Sequence, residues 1–448
     1  MSPLFSSRIR PAHIIAVGFL LLILTGALLL TLPAATRSGE SASFSDALFT
    51  ATSSTCVTGL VVHDTFEYWS FFGQLVLLLL IQAGGMGVVT MAVAVALIMR
   101  RRIGLKQRFV LQEAISAPRM GGIVRMTGFI LRLTFALEGL GALLLALRFC
   151  PQMGFVQGMW YAVFHSVSAF CNAGFDLMGV TAPYASLTGY VGDPLVSLTI
   201  AGLIVAGGLG FFAWSDIRDH TWHLRSYRLQ TKLVLSVTAA LLLLPTLFFY
   251  FFEFSQPQWA SLTQSERILA SVFQSVTPRT AGFNTVNLGL LSMPSVLLMI
   301  LLMLTGGSPG STAGGFKTTS LAMLFLSIRA VLSQRDSIQV FHRRIPPEVL
   351  RNTVALVMLY VILFLSGGIL LCCFDDVSLS QALFECASAI GTVGLTLGIT
   401  PELSDASRLV LISLMYFGRV GGLTMLYAMT GSHVPVPAQM PQEKIAIG

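Results

Sequence analysis

Four stretches of this 448-residue chain share one framing. Each begins at a phenylalanine, continues through small and hydroxyl-bearing residues, and ends at a glycine followed by a large apolar residue. The stretches are residues 49–60 (FTATSSTCVTGL), 164–175 (FHSVSAFCNAGF), 273–283 (FQSVTPRTAGF) and 384–395 (FECASAIGTVGL), and their glycines Gly59, Gly174, Gly282 and Gly394 are 115, 108 and 112 residues apart. The third stretch is one residue shorter than the others. This pattern predicts four diverged copies of one unit of about 110 residues.

The composition is that of a membrane protein. Hydrophobic residues make up 54% of the chain and charged residues 10%, and the mean hydropathy is +0.79, outside the range of soluble domains. A membrane span needs about 20 apolar residues. Eight spans are predicted, near 12–32, 70–98, 127–148, 193–214, 231–252, 289–332, 349–373 and 407–430, one on each side of every glycine stretch. The first is read as a retained helix and not as a signal peptide.

The predicted fold class is an all-α membrane protein of four linked helix, pore-loop, helix repeats around a pseudo-fourfold pore. The predicted units are residues 1–105, 106–225, 226–345, which contains a broken second helix, and 346–430, followed by a tail at 431–448. Basic residues concentrate in the loops that join one repeat to the next (Arg100, Arg101, Arg102, Lys106, Arg108, Arg119, Arg125, Arg218, Arg225, Arg228, Lys232, Arg329, Arg335, Arg343, Arg344 and Arg351). Those loops and both termini are therefore predicted to be cytoplasmic. This placement, and not nucleic-acid binding, explains the basic balance, while acidic outer loops would attract cations.

The glycine stretches are predicted to be re-entrant loops that meet around a common axis. Non-helical backbone at membrane depth is tolerated where it is buried in protein or lines water, and glycine adopts positive φ at no steric cost. Potassium filters with a Thr-Val-Gly-Tyr-Gly run bind the ion through rings of backbone carbonyls. The candidate filter residues are Thr392, Val393 and Gly394, with the degenerate copies Val57, Thr58, Gly59, Asn172, Ala173, Gly174, Thr280, Ala281 and Gly282. The alternative is that each stretch is an ordinary outer turn between two spans.

The four glycine stretches, the run PRTAGFNT at 278–285 and the Gly-Arg-Val-Gly run at 418–421 resemble the Trk/Ktr/HKT superfamily of potassium transporters, and most closely its bacterial KtrB-type members. The resemblance covers essentially the whole chain. It implies potassium uptake across a bacterial inner membrane by a homodimer with one pore per subunit. It also implies a cytoplasmic octameric RCK ring (KtrA-like) that binds ATP or ADP, so that the chain itself needs no cofactor; whether sodium takes part is left open. The chain departs from the family at Gly421-Gly422, where Gly-Pro is expected.

A polar, glycine-rich interruption lies inside the sixth span. Its residues are Gly306, Gly307, Ser308, Pro309, Gly310, Ser311, Thr312, Ala313, Gly314 and Gly315, which cannot stay helical. The resemblance implies an intramembrane gating loop here. Two other readings are a phosphate-binding loop, which lacks the spacing and the preceding strand, and the substrate site of a secondary transporter with alternating access. Lys317 either holds this loop through hydrogen bonds or extends to the cytoplasmic boundary.

Arg419 lies in mid-span, where a charge needs a cavity or a partner. The favoured reading is an electrostatic barrier below the filter; the alternative is an ion pair with Glu138, the one acid that we place inside a span. Arg279 and Asp176 are expected to support the filter and to contribute to the field at its outer mouth. The preferred function is passive potassium conduction, because the spans hold few of the carboxylates that proton relays use. An intramembrane enzyme is disfavoured, since His63 and His165 form no catalytic or metal-binding set.

Overall fold

The computed structural model describes residues 11–98, 110–112, 122–221, 223–422, 424–425 and 443. These residues are mostly helical, and their one sheet is a short hairpin of Gln339–Val340 with Arg343–Arg344. The predicted tail at 431–448, apart from Glu443, lies outside the described residues. So do most of the basic residues predicted for the first cytoplasmic loop.

Each predicted repeat contains a leading helix, a short helix and a trailing helix. The leading helices are Pro11–Leu30, Ile123–Met153, Leu229–Phe248, which continues as a π-helical turn Phe249–Glu253, and Pro347–Phe374. Among the described residues, these four are the continuous helices that are long and apolar enough to cross a membrane. The short helices are Phe44–Thr55, Phe155–Cys171, Gln264–Val276 and Leu379–Gly391.

The trailing helices are interrupted in every repeat. They are Phe71–Met86 with Val88–Ile98, Pro194–Gly208 with Phe211–His220, Met293–Leu304 with Thr318–Leu332, and Asp405–Val420. The breaks in repeats 1, 2 and 4 fall at Gly87, Gly210 and Gly421, whose φ values of 84°, 88° and 94° are incompatible with a helix. In repeat 2 the two halves are bent by 93°. The predicted spans at 70–98 and 193–214 are therefore each divided into two helices, and the helix in the predicted span at 407–430 ends at Val420, before Gly421; the sequence prediction did not include these breaks.

Local sequence signals start most of the short helices. Ser43 caps the first by accepting a hydrogen bond from the Asp46 backbone N–H. The third and fourth begin with capping boxes, Thr263 with Glu266 and Ser378 with Gln381. The second has no side-chain cap and begins at Gly154, directly after the leading helix of its repeat. Each short helix ends in a glycine stretch.

The framing phenylalanines form the anchor of each short helix. Phe49, Phe164, Phe273 and Phe384 are all at most 1% exposed and belong to the two largest apolar clusters. Burying a phenylalanine side chain stabilises a fold by about 1.5–3 kcal/mol. The phenylalanine that marks the start of each repeated stretch thus also anchors the short helix of that repeat in the apolar core.

Further short turns connect these elements. They are the helical turn Thr65–Tyr68 and the 3-10 turns Pro33–Ala35, Met178–Val180, Thr188–Tyr190, Leu224–Ser226, Pro257–Trp259, Leu288–Leu290 and Thr400–Glu402. Most of them lie between a glycine stretch and the trailing helix that follows it, or between a leading helix and its short helix.

Candidate functional site

The four repeated glycines meet in a closed ring. A Cβ atom placed on each glycine would lie within 3 Å of the carbonyl oxygen that precedes the next glycine: 2.5 Å from Ala173 for Gly59, 2.8 Å from Ala281 for Gly174, 2.6 Å from Val393 for Gly282, and 2.1 Å from Thr58 for Gly394. The last contact joins repeat 4 to repeat 1. No side chain fits at any of the four positions, so the backbones themselves form the ring.

The backbone of each glycine stretch adopts the same unusual conformation. The first residue of each triplet has positive φ, at 58° for Val57, 62° for Asn172, 69° for Thr280 and 51° for Thr392. Each ring glycine has positive φ as well, between 70° and 99°. A β-branched residue rarely adopts this conformation, and the sequence reasoning assigned it to the glycines alone. The shared feature of the stretches is therefore backbone geometry, while the side chains vary.

A hydroxyl side chain holds each stretch against its short helix. Ser53 and Ser388 accept hydrogen bonds from the N–H groups of Gly59 and Gly394, at 3.1 and 2.9 Å. Ser168 donates to the carbonyl of Phe175 at 2.7 Å, and Thr277 donates to the equivalent carbonyl of Phe283. Sequence reasoning missed these residues, although each hydroxyl lies four residues after the phenylalanine that begins its stretch.

The electrostatic character of the ring favours cations. The short helices end at the ring, and the C-terminal end of a helix carries a partial charge of about −0.5. The ring residues are buried, and the hydroxyls of Thr58 and Thr392 have no hydrogen-bond partner within the described part of the chain. The Asn172 amide and the Thr280 hydroxyl are 3.1 Å apart and link repeats 2 and 3. Backbone carbonyls and free hydroxyls are the ligands that a dehydrated alkali-metal ion requires.

An acidic depression of about 70 Å³ lies on one side of the ring. All four ring glycines line it, together with Asp64 and Asp176. Asp64 is fixed by hydrogen bonds from the backbone N–H groups of Phe66 and Tyr184, and Asp176 by one from Met178. Burial, reinforced by the nearby Asp64 charge, raises the pKa of Asp176 to about 7.

The glycine-rich interruption of repeat 3 closes the ring on its other side. Gly314 packs directly on the glycine stretch of repeat 4, since a Cβ on it would lie 2.1 Å from the Thr392 hydroxyl oxygen. Thr312 donates a hydrogen bond to the carbonyl of Phe170, at 3.1 Å, near the end of the second short helix. The two ends of the loop are joined by the hydrogen bond from Gly306 N–H to the carbonyl of Phe316, at 2.9 Å. We call residues 305–317 the crossing loop.

The crossing loop is anchored on the elbow of repeat 2. Backbone N–H groups of Ser308 and Thr312 donate to the carbonyls of Gly208 and Gly207, at 2.9 and 3.3 Å. In the other direction, the N–H of Phe211 donates to the carbonyl of Gly310 at 2.8 Å. The break in the trailing helix of repeat 2 thus frees the backbone groups that hold the loop.

Two basic side chains complete the fixation of the loop. Lys317 donates to the carbonyls of Ala313 and Gly314, at 2.7 and 3.3 Å, which is the hydrogen-bonded alternative of the two considered above. Arg419 donates to the carbonyls of Thr312, Gly84 and Gly85. It therefore joins the loop to the last turn of Phe71–Met86, where the Gly84 carbonyl also accepts a hydrogen bond from the Gly87 N–H, at 3.0 Å.

The ion pair between Arg419 and Glu138, which was the alternative to an electrostatic barrier, does not form. Glu138 instead accepts a hydrogen bond from Gln82 at 3.2 Å and faces Cys171. Two further acids, Glu253 and Glu385, are fully buried, and Glu253 is the last residue of a helix that is long and apolar enough to cross a membrane. Glu253, which the sequence placed in an outer loop, ends the leading helix of repeat 3 and accepts hydrogen bonds from Trp259 and Ser295.

Arg279 is buried beside the third glycine stretch but does not line the ring. Its guanidinium contacts the Thr238 hydroxyl of the neighbouring leading helix, at 3.4 Å. On the inner side of the crossing loop lies a cavity of about 220 Å³, lined by Lys317, Arg419, Gly310 and Tyr360 among others. Depression, ring, loop and cavity follow one another. Within the described residues, no group of three or more His, Cys, Asp or Glu could hold a metal ion.

Comparisons with known proteins agree with this architecture. The profile of the TrkH family, described as cation transport proteins, matches residues 10–434. The potassium/sodium uptake protein NtpJ of Enterococcus hirae is 37% identical over 98% of both chains. The Ktr system potassium uptake protein B of Bacillus subtilis is 37% identical over 94% of this chain and 93% of its own, and that of Vibrio alginolyticus is 37% identical over 97% and 94%. The crystal structure of the potassium transporter TrkH from Vibrio parahaemolyticus matches with a TM-score of 0.74 and 20% identity over 95% of this chain and 86% of that one.

Proposed function

The chain belongs to the TrkH family of cation transport proteins, and we propose that it takes up potassium ions by passive conduction through the ring of Gly59, Gly174, Gly282 and Gly394. The observation that carries the proposal is the closure of this ring, in which each glycine lies against a backbone carbonyl of the next repeat. Carbonyl oxygens replace the hydration shell of potassium in filters of this kind. As a member of a transport family, the protein is not an enzyme.

The proposed ion pathway passes four sites in succession. Potassium is concentrated by Asp64 and Asp176 at the outer mouth, loses water against the carbonyls of the filter triplets, meets the crossing loop, and enters the inner cavity. In this state the loop obstructs the path, because Gly314 packs against Thr392. Lys317 and Arg419 stabilise the closed loop and place positive charge below the filter. Opening requires the loop to leave the ring.

The topology, oligomeric state and regulation that we propose are those that the family resemblance implies. The repeats are proposed to cross the membrane eight times around a pseudo-fourfold axis, with the trailing helices interrupted near mid-membrane. The protein would work as a homodimer in a bacterial inner membrane, with both termini cytoplasmic. A cytoplasmic RCK ring that binds ATP or ADP would control the loop. Relatives named as Ktr system potassium uptake proteins support potassium as the ion, and the relative named as a potassium/sodium uptake protein makes sodium stimulation the point to test first.

Ion flux into liposomes that contain the purified protein tests this proposal. An imposed potassium gradient alone should drive uptake, and an equal sodium gradient should drive less. Potassium uptake that requires an opposing or accompanying sodium or proton gradient would contradict passive conduction and support a coupled transporter with alternating access.

A matched pair of variants tests the gate. Deletion of Ser311 to Gly314 should raise the flux, because it removes the residues that pack on Thr392 and bind Arg419. The isosteric change Thr305→Val, at the edge of the loop, should leave the flux within about twofold of the parent. Equal flux in the deletion variant and the parent would contradict the gating role of the loop.

A further inference from the structure

A buried polar residue occupies the same position of every short helix. Superposition of the repeats on their glycines aligns Thr50, His165, Gln274 and Glu385, which precede the ring glycine by nine residues, or by eight in the shorter third repeat. All four are at most 2% exposed. Burying such a group is unfavourable unless it is hydrogen-bonded, so the partners of each residue indicate what the position does.

His165 forms a hydrogen bond to the segment that follows the ring glycine of repeat 2, and we call such a contact a tie. Its Nδ1 lies 2.7 Å from the carbonyl of Tyr161, and its Nε2 lies 3.3 Å from the backbone nitrogen of Leu177. These partners require a neutral ring with the proton on Nδ1, because Nε2 must accept the Leu177 N–H. Leu177 follows the ring glycine Gly174 by three residues.

Glu385 makes the corresponding tie in repeat 4. Its carboxylate accepts hydrogen bonds from the hydroxyls of Thr396 and Thr400, the latter at 3.0 Å, and the backbone N–H of Leu397 faces the same carboxylate. Leu397 follows Gly394 by three residues, as Leu177 follows Gly174. An imidazole and a carboxylate thus face the same backbone position of two different repeats.

The third repeat lacks this tie. The amide of Gln274 is directed to the sulfur of Met299, at 3.0 Å. Its oxygen has no hydrogen-bond partner among the described residues, and neither has the hydroxyl of Thr285, three residues after Gly282. Gln274 is therefore equally buried and aligned but does not hold the segment beyond the ring, which makes it a natural control.

We propose that His165 and Glu385 are positioning residues that fix the ring glycines of repeats 2 and 4. In the order of ring contacts these two repeats are not neighbours, so the ties act on opposite sides of the ring. Each tie joins the segment beyond the glycine to the short helix behind it, and the hydroxyls of Ser168 and Ser388 hold the same stretch closer to the glycine. The inference rests on the proposed function, because ion preference is the property that a fixed ring of carbonyls supplies.

The test measures the ratio of potassium to sodium flux in liposomes, together with folded yield and unfolding temperature. His165→Phe and Glu385→Leu remove the acceptor at similar volume and should lower the flux ratio by about five- to tenfold, as expected when one buried donor loses its partner. His165→Gln and Glu385→Gln keep an acceptor and should restore the ratio to within about twofold of the parent. Gln274→Leu is the matched control and should change the unfolding temperature but not the ratio. If Glu385→Leu does not fold, Thr400→Val removes the hydrogen bond from the other side and takes its place.

Two outcomes would overturn the inference: an unchanged flux ratio in folded His165→Phe and Glu385→Leu proteins, or an equal loss in Gln274→Leu. Gly174→Ser and Gly394→Ser separate this inference from the proposed function. If the glycine variants change the ratio and the His165 and Glu385 variants do not, the ties alone are refuted. If the glycine variants also leave the ratio unchanged, the ring is not the filter and the proposed function fails.

Discussion

At the level of single residues, the ring depends on backbone conformations that side chains would block. Gly394 has a φ of 92°, and a Cβ there would lie 2.1 Å from the carbonyl oxygen of Thr58. An L-residue with positive φ costs about 1–2 kcal/mol, and this collision forces the ring of carbonyls apart in addition. Torsional strain and collision can be separated, because Gly39 also has positive φ, at 75°, but has nothing within 4 Å of a Cβ.

We predict that Gly394→Ala relaxes the preference for potassium over sodium by about tenfold or more, while Gly39→Ala leaves it unchanged. The expected loss corresponds to at least about 1.4 kcal/mol in relative ion binding. Flux ratios in liposomes and unfolding temperatures of both variants provide the measurement. A similar fall of the ratio in both variants would show that torsional strain, and not the ring contact, is responsible.

The outer mouth should respond to pH near neutrality. Burial raises the pKa of Asp176 to about 7, so its carboxyl is neutral below that pH and negative above it. Uptake at low external potassium should therefore increase as the external pH rises from about 6 to about 8, because the negative charge concentrates cations at the mouth.

The Asp176→Asn variant should show low uptake throughout this range, with no step near pH 7. Asp193→Asn is the control, because Asp193 caps a trailing helix away from the mouth and asparagine is an equally good cap. Initial rates of potassium uptake at fixed internal pH measure the effect. A step near pH 7 that persists in Asp176→Asn would assign it to another group.

Some of the site could be predicted from residues and some could not. Glycines that recur with small residues around them identify positions where backbone approaches backbone, and the four ring glycines were found in this way. The positive φ of Val57 and Thr392 has no such signature, because the fold imposes it on residues that do not favour it. The partners of Arg419 were also invisible, since they are backbone carbonyls; the search for an acidic side chain led to Glu138 instead.

Among the secondary-structure elements, the interrupted trailing helices differed most from expectation. Five glycines and a proline in ten residues predict the break in repeat 3. The breaks in the other three repeats lie in smaller glycine clusters, Gly84-Gly85-Met86-Gly87, Gly207-Gly208-Leu209-Gly210 and Gly418 with Gly421-Gly422. These clusters were not read as breaks, because each glycine costs a helix only about 1 kcal/mol. The leading helices, which carry no such interruption, were predicted as spans. Backbone groups beside the breaks in repeats 1 and 2 accept hydrogen bonds from Arg419 and from the crossing loop, respectively.

The elbow of repeat 2 should set the position of the crossing loop. A Cβ on Gly210 would lie 2.6 Å from the carbonyl oxygen of Pro309, whereas one on Gly87 would meet nothing closer than 3.9 Å. Both glycines have nearly the same φ, so the two alanine variants share the torsional cost and differ in the contact with the loop. Gly210→Ala is predicted to push the loop from the ring and to raise potassium flux severalfold.

Gly87→Ala should lower the unfolding temperature by about as much as Gly210→Ala does, but it should not raise the potassium flux. Potassium efflux from preloaded liposomes, with protein content matched by quantitative gel analysis, measures the difference. Increased flux in both variants would mean that any disturbance of a trailing helix opens the path. Unchanged flux in a folded Gly210→Ala protein would mean that the elbow does not hold the loop.

At the scale of the whole molecule, a linear chain of four repeats must be closed between its first and last unit. The spacing of the repeats predicts that they meet but not what joins repeat 4 to repeat 1. Besides the ring contact, Tyr416 donates a hydrogen bond to the carbonyl of Ala16 at 2.7 Å. On the outer side, Ser45 donates to Asp405 at 2.7 Å. These pairs are separated by about 360 to 400 residues, a distance at which local pattern carries no information.

An ion pair of Arg408 with Asp46 also joins repeat 4 to repeat 1. The guanidinium and carboxylate are 3.0 Å apart, and the side chains are 15% and 16% exposed; His63 lies 3.2 Å from the other carboxylate oxygen. Removing one partner from a largely enclosed pair leaves the other charge uncompensated. The loss of folding stability is under about 1 kcal/mol for a surface pair and about 3–5 kcal/mol for a buried pair. A loss between these limits is expected here. The pair of Arg148 with Asp193 lies within repeat 2, and its arginine is 52% exposed.

Arg408→Gln is therefore predicted to destabilise the protein by about 2 kcal/mol, and Arg148→Gln by less than about 1 kcal/mol. The apparent unfolding temperature in detergent should fall by several degrees for the first and by about one degree for the second. Asp46→Asn added to Arg408→Gln should restore part of the loss, because it removes the charge left without a partner. If the double variant is no more stable than Arg408→Gln alone, the seam is held by the ring and its packing, and the ion pair contributes nothing to closure.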